Sequence, residues 1–215
     1  MSFTVAEIVA DVRDEIQDTV IPYRYSDGFI VRKLNQVMRR AAILRPDLFV
    51  VVESLTCAAG SLQTAPADSI RLLDALSNTN GRAIKEVSQE VLDMMVPTWE
   101  ALASGPAINW MRYPRDPNRF YVYPAATAVD TLTITYARCP ATLTYTDTIV
   151  MQDVYSPVIT DGTVWLMESI DAEHVESGSA KMHQDSFMSG LSAGLTSRRI
   201  TDVGTAGLPP EEVIQ

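Results

Sequence analysis

The sequence predicts an α+β fold: helices from the two ends of the chain form an antiparallel-like bundle, a β-rich domain is inserted between them, and an extended tail follows. Three observations carry that expectation. Apolar residues recur at helical spacing near the N-terminus and again from about residue 153 to 195. Between these, LFVVVESLTC, SLQTAP, IRLLDALSN, RFYVYP and DTLTITYAR are short, rich in β-branched or aromatic residues and bounded by turn residues. From Thr196 onward the chain reads RRITDVGTAGLPPEEVIQ, with Gly204, Gly207, Pro209 and Pro210, and has the composition of a tail. The expected division is 1–47 for the N-terminal helices, 48–150 for the β-rich insertion, 151–195 for the C-terminal helices and 196–215 for the tail.

Taken in order, Val5, Ile8, Val9, Val12, Ile16 and Val20 predict a helix over 4–20, with Glu7, Asp11, Arg13, Asp14 and Asp18 facing away. Thr4 with Glu7 is a capping-box pattern. IPYRYSDG breaks the helix, and a second begins near Ser26 or Asp27, its stripe formed by Ile30, Leu34, Val37, Met38 and Ala41. It must stop at Arg45-Pro46, because a residue before proline disfavours the α region. AAGS and the Asn-Gly of TNGR are turns between strands. Residues 88–103 are helical in composition but split by Pro97. In DTLTITYAR, Leu132, Ile134 and Tyr136 alternate with threonines, predicting one buried face and one wet one. Val154, Val158, Trp165, Leu166 and Ile170 share a helical face in the segment after Asp153, where Pro157 is tolerable in the first turn. Ala180, His183, Phe187 and Leu191 mark the last helix.

Bulk composition narrows the function. The chain has 215 residues, 47% apolar and 20% charged, and a net charge of −10, which fits a soluble globular protein and disfavours a general nucleic-acid binder. No apolar run reaches 18 residues, so neither a signal peptide nor a membrane span is expected. Cys57 and Cys139 are far apart and form no CxxC, which predicts reduced thiols and no metal knuckle.

A search for chemistry finds little. His174 lies among Asp171, Glu173 and Glu176, and His183 is on the next helix. Imidazole plus carboxylates could ligate a metal, but the spacing matches no HExxH-like pattern, so solvated caps are the better reading. There is no GxGxxG, no P-loop and no GxSxG elbow in a strand–turn–helix context, and Cys139 has no histidine nearby. Trp99, Trp110 and Trp165 read as core or interface anchors. No catalytic, cofactor or metal residue is expected, and the chain is read as a non-enzyme. The second helix is basic through Arg32, Lys33, Arg39, Arg40 and Arg45. Phosphate contact is one reading, but without interleaved aromatics the sequence favours pairing with acidic helices of this chain or a neighbour. RYPRDPNRFYVYP (112–124) lacks the glycines of an RNA-binding strand. Its bracketing prolines and Asp116-Pro117-Asn118 turn predict a short strand, at an edge, in a hairpin with DTLTITYAR.

At that point the order of phrases carries a resemblance. RLLDAL, GRAIKEVSQEVLD, PTW, RYPRDPNRFYVYP, TLTITYARCPATL and DTIVMQDVYSPVITDGTVW, together with LNQVMRRAAILRPDLF, resemble the head-to-tail adaptor (connector, head completion) proteins of tailed phages over about residues 5–195. The resemblance implies a virion protein of the neck, assembled in the host cytoplasm. It would form a homo-oligomeric, dodecameric ring under the portal protein, receive tail or nozzle proteins and let viral DNA pass. It implies subunit contacts at Arg32, Arg39, Arg40, Arg112, Arg115, Tyr121 and Tyr123. In such proteins the C-terminus often reaches toward the portal, and although the tail lies outside the resemblance, Arg198, Arg199, Ile200, Leu208, Val213 and Ile214 are expected to make that contact here. Twelve copies at −10 would sum to roughly −120, a field that repels DNA from a channel wall if the acids face the lumen. Alternatives are a tail-tube or tail-completion subunit, a metal-dependent enzyme using His174 and His183, and a nucleic-acid module centred on Arg32, Arg39, Arg40, Arg112 and Arg115.

Overall fold

The computed structural model of the chain describes residues 3–170 and 178–205, and the side chains of its last helix as far as Ser192. The fold is mixed α+β. In chain order the elements are β1 (Phe3–Thr4), α1 (Val5–Glu15), α2 (Asp27–Leu44), β2 (Val50–Thr56), β3 (Gly60–Thr64), β4 (Ser69–Asn78), β5 (Lys85–Glu86), α3 (Gln89–Met95), β6 (Asn109–Arg112), β7 (Arg119–Ala126), β8 (Thr131–Arg138), β9 (Thr148–Ile149), α4 (Ser156–Glu168) and α5 (Ser179–Thr205). They fall into two units, Met1–Leu44 with Thr142–Gln215, and Arg45–Ala141.

In the first unit α1, α2 and α5 each pack against α4. The capping box forms as the sequence predicts: Thr4 N–H donates to Glu7 Oε2 and Glu7 N–H to Thr4 Oγ1. Val5, Ile8, Val9 and Val12 are buried on α1, and Ile30, Leu34, Val37, Met38 and Ala41 on α2. α1 is shorter than expected, ending at Glu15, and Val20 is exposed. Gln17 turns the chain with a positive φ of 56°, and the Asp18 carboxylate takes the N–H groups of Arg24 and Tyr25 at 2.8 and 3.1 Å. A side chain that satisfies backbone donors outside the helix competes with continuing it. Arg13 and Asp18 do not face away either. Both are buried, joined at 2.7 Å.

α4 departs from the single apolar face expected of it. Ile159, Thr160, Gly162, Thr163, Val164, Leu166 and Met167 are buried, whereas Val154 and Ile170 are exposed. A helix surrounded by three others is covered on several sides, and amphipathic periodicity then carries little information. Residues 142–150, expected with the strands, belong to this unit. Asn35 holds Leu143 through both its N–H and C=O, Arg39 donates to Thr142 Oγ1, and β9 pairs antiparallel with β1. The extended tail expected from Thr196 is corrected as well: α5 continues to Thr205. No proline lies between 196 and 205, so nothing in that stretch forbids helix.

The second unit is a pair of sheets, ordered β2-β8-β4 and β3-β7-β6-β5. Leu72, Ala75, Leu132, Ile134 and Tyr136 from the first sheet meet Trp110, Phe120, Val122 and Ala126 from the second in one core. The alternation read in DTLTITYAR is present, with Leu132, Ile134 and Tyr136 buried and the threonines between them half-buried. The hairpin expected between β7 and β8 does not form: they lie in different sheets, and β7 is an interior strand. Residues 127–130 carry the chain across. Asp130 accepts from the Thr127 N–H and hydroxyl, both at 2.7 Å, and Cys57 N–H donates to the Asp130 carbonyl. That bond ties this crossover to the one between β2 and β3. Pro124 is tolerated inside because β3 skips register there, pairing Gly60 with Ala126 and then Leu62 with Tyr121. The Asn-Gly turn forms as read, with Gly81 at φ 72° and Asn78 Oδ1 accepting from Asn80 and Arg82 N–H.

Candidate functional site

Three places could hold chemistry. The first is the histidine region. His174 and its acidic neighbours Asp171, Glu173 and Glu176 lie outside the described residues. His183 Nδ1 is 3.0 Å from Asp161 Oδ1, and Ser186 Oγ donates to the other Asp161 oxygen at 2.5 Å. A serine bound to the carboxylate, with no contact to the imidazole, is not an activated nucleophile. The group reads as a polar pin between α4 and α5. Among the described residues no three His, Cys, Asp or Glu side chains are grouped to hold a metal.

The second is a cleft of about 720 Å³ lined by Glu86, Val87, Ser88, Gln89, Glu90, Asp93, Arg112 and Pro114. Two of its acids are engaged: Glu86 binds Arg112 through both oxygens, and Asp93 accepts from Trp99 Nε1 at 2.7 Å. The third is the thiols. Cys57 is buried, and burial with nearby Asp130 pushes its pKa up to about 11, so it stays protonated and unreactive near neutrality. Cys139 is exposed with only a 3.9 Å approach to the Pro140 carbonyl.

The charged surface is more informative. In the second unit several arginines are consumed internally. Arg45 pairs with the adjacent Asp47. Arg138 meets Glu53, Tyr136 and Asp68, and the Arg138 hydrogen bond holds the Glu53 carboxyl below its usual range. Arg112, expected at a subunit contact, also donates to the Leu72 and Leu73 carbonyls and lies over the Trp110 ring. Tyr121 packs edge-on against Trp99 and Tyr113, burial raises its pKa, and Tyr123 joins it over the Leu92–Trp99–Met111 cluster. Arg115 is exposed, with no ion-pair or hydrogen-bond partner among the described residues.

In the first unit one arginine is likewise consumed: Arg13 joins Asp18, Asp27 and the Tyr25 carbonyl and stacks on Tyr23 at 3.9 Å. The basic residues of α2 behave differently. Arg32 and Lys33 sit near the Phe29 ring, Arg40 lies 4.7 Å over Trp165, and Arg39 reaches Thr142. Arg32, Arg39 and Arg40 have no carboxylate partner among the described residues, so the pairing expected within the chain is not met there. Sequence reading missed the Arg13 clamp and the Asn35 clasp. The only signal for either was a charged or amide residue next to an apolar stripe. Arg198, Arg199 and Ile200 fall on α5 beyond the described side chains, and Leu208, Val213 and Ile214 fall outside the described residues.

No helix among the described residues is long and apolar enough to cross a membrane. A search among curated proteins found no match. The family model of the SU10 adaptor protein, a phage head-to-tail adaptor, matches residues 3–208. With nearly the whole length covered, the chain belongs to the SU10 adaptor family.

Proposed function

We propose that this chain is a structural protein of the phage neck that forms a ring, docks on the portal and supplies the platform to which tail or nozzle proteins attach while DNA passes through. The observation that carries the reading is the family match over residues 3–208. In this reading the helices form a bundle into which the β-rich unit is inserted, the ring is dodecameric, and the protein works without cofactor or turnover. It is assembled into the virion in the host cytoplasm. The subunit contacts include Arg32, Arg39 and Arg40, and residues after Thr196, with Arg198, Arg199, Ile200, Leu208, Val213 and Ile214, face the portal.

The test is assembly. Particles made without this chain should accumulate DNA-filled heads and separate tails, and purified protein should restore joining. Heads that join tails normally in its absence would refute the proposal. Deleting residues 196–215 should abolish co-sedimentation with the portal while leaving cooperative unfolding intact; unchanged co-sedimentation would remove the tail from the interface.

A further inference from the structure

Apart from Asp27, whose carboxylate pairs with Arg13, the exposed charges of α1 and of α2 are each of one sign. On α1 the outward residues are Glu7, Asp11, Asp14 and Glu15, with Ala10 among them; on α2 they are Arg32, Gln36, Arg39 and Arg40. Beyond the Glu7 cap to Thr4, these acids meet no cation among the described residues, and burial with the charges of Asp14 and Glu7 raises the pKa of Asp11. The arginines likewise meet no acid. Like charges three or four residues apart on a helix repel, so each face stands as an unoffset cost in the isolated chain.

The two faces match in spacing. Counted from the first residue, the acids fall at offsets of 0, 4, 7 and 8, and Arg32, Gln36, Arg39 and Arg40 fall at the same offsets. At 1.5 Å per residue each face spans about 12 Å. Aliphatics are exposed in the last turn of α2, Ile43 and Leu44 at 73% and 42%, and in the loop that follows α1, Val20 and Ile21 at 76% and 77%. Laid parallel, an α1 and an α2 from different copies would set acid against arginine.

We infer that α1 of one copy docks in parallel along α2 of the next, the face of Glu7, Asp11, Asp14 and Glu15 lying against that of Arg32, Gln36, Arg39 and Arg40. The occupant is a second copy of this chain. Each copy offers one face of each sign, so the contact is heterologous and repeats head to tail, as ring closure requires. The inference rests on the ring reading and adds to it the surfaces and their register.

Net charge and local pairing make opposite predictions for one variant. Asp11→Lys with Asp14→Lys reduces the net negative charge, so general repulsion would weaken and copies would associate more. If the faces pair, attraction becomes repulsion and association falls. Sedimentation velocity of the full chain at about 0.15 M salt, where exposed charges act over about 8 Å, should show the association constant dropping about tenfold or more for this variant and for Arg39→Glu with Arg40→Glu. An equimolar mixture of the two variants should regain association, because each supplies the sign the other needs. That regain also shows that both fold. Undiminished association of the lysine variant, or no regain on mixing, would overturn the inference. So would a wild-type chain that stays monomeric at about 0.5 mM, without touching the head-joining test that decides the adaptor reading.

Discussion

Gly162 is where the helical unit has least room, and substituting it tests the packing around α4. A Cβ built there would sit 2.7 Å from Phe187 Cδ2 on α5 and 2.8 Å from Val37 Cγ1 on α2. Carbon atoms pack comfortably at about 3.5–4.0 Å, so both neighbours would have to retreat by about 1 Å from fully buried positions. In an open helical site, glycine to alanine gains about 0.5–1 kcal/mol from backbone entropy. Overpacking a dense core costs about 1–3 kcal/mol. Net of that gain, Gly162→Ala should therefore lower stability by up to about 2.5 kcal/mol. Gly28→Ala, also in a helix but with nothing within 4 Å of its Cβ, should be neutral or gain up to about 1 kcal/mol. Urea unfolding read by far-ultraviolet circular dichroism measures both. Shrinking the neighbour, Phe187→Leu, should cost stability alone yet partly rescue Gly162→Ala, a coupling that distant sites do not show. Gly162→Ala more stable than wild type by the about 0.5–1 kcal/mol of an open helical site would mean that α2 and α5 do not close on this residue.

Asp18→Ala should cost about 1–3 kcal/mol in the same assay, because it removes one of the two carboxylates that hold the buried Arg13 guanidinium, leaving Asp27 and the Tyr25 carbonyl, and takes the acceptor from the Arg24 and Tyr25 amides; a loss under about 0.5 kcal/mol would show that the clamp is dispensable. Asp130 has its pKa lowered, first by the Thr127 amide and then by the Thr127 hydroxyl. Its stabilisation is present above the ordinary carboxylate value of about 3.9 and is lost as pH falls through the lower folded value. Asp130→Asn should thus be less stable than wild type at pH 6, and the gap should close toward about pH 3; a constant gap would mean that the carboxylate charge plays no part at the crossover. Cys57 should resist thiol reagents in the native protein near pH 8 while Cys139 reacts, and equal labelling rates would contradict the burial of Cys57.

How much of this was legible depended on whether a local rule governed the segment. The Thr4–Glu7 box, the stop at Arg45-Pro46 and the Asn80-Gly81 turn are decided within four residues, and each forms as read. The stripes of α2 and of α5 as far as Leu191 were legible because each helix has one covered side. α4 was misread because it has several. The missing hairpin is a different failure. β7 and β8 have the alternation of a paired meander and a connection of hairpin length, but the Asp130 turn and its bond from Cys57 direct the chain into the opposite sheet. A contact between residues 57 and 130 has no local signature. Similarly, a helix reader counts Arg13 and Asp18 as surface charges, because their burial depends on a loop folding back over them.

The proposed contact asks a strongly acidic chain to assemble with itself. Two bodies of charge −10 about 30 Å apart repel by about 14 kcal/mol in unscreened water, but at physiological ionic strength, with a Debye length of about 8 Å, by less than about 1 kcal/mol. The sign of the whole chain therefore governs approach only at low salt. At contact the local pattern decides, through exposed pairs worth about 0.2–1 kcal/mol each and the aliphatics beside them at about 25 cal/mol per Å² buried. Association of this chain should on that account be weak at about 0.01 M salt, strongest near physiological salt and weaker again at about 1 M. A purely hydrophobic contact would strengthen steadily with salt, and a purely net-charge effect would do the same. A maximum is the signature of two opposed electrostatic terms, a long-range repulsion that salt removes first and a short-range attraction that it removes later.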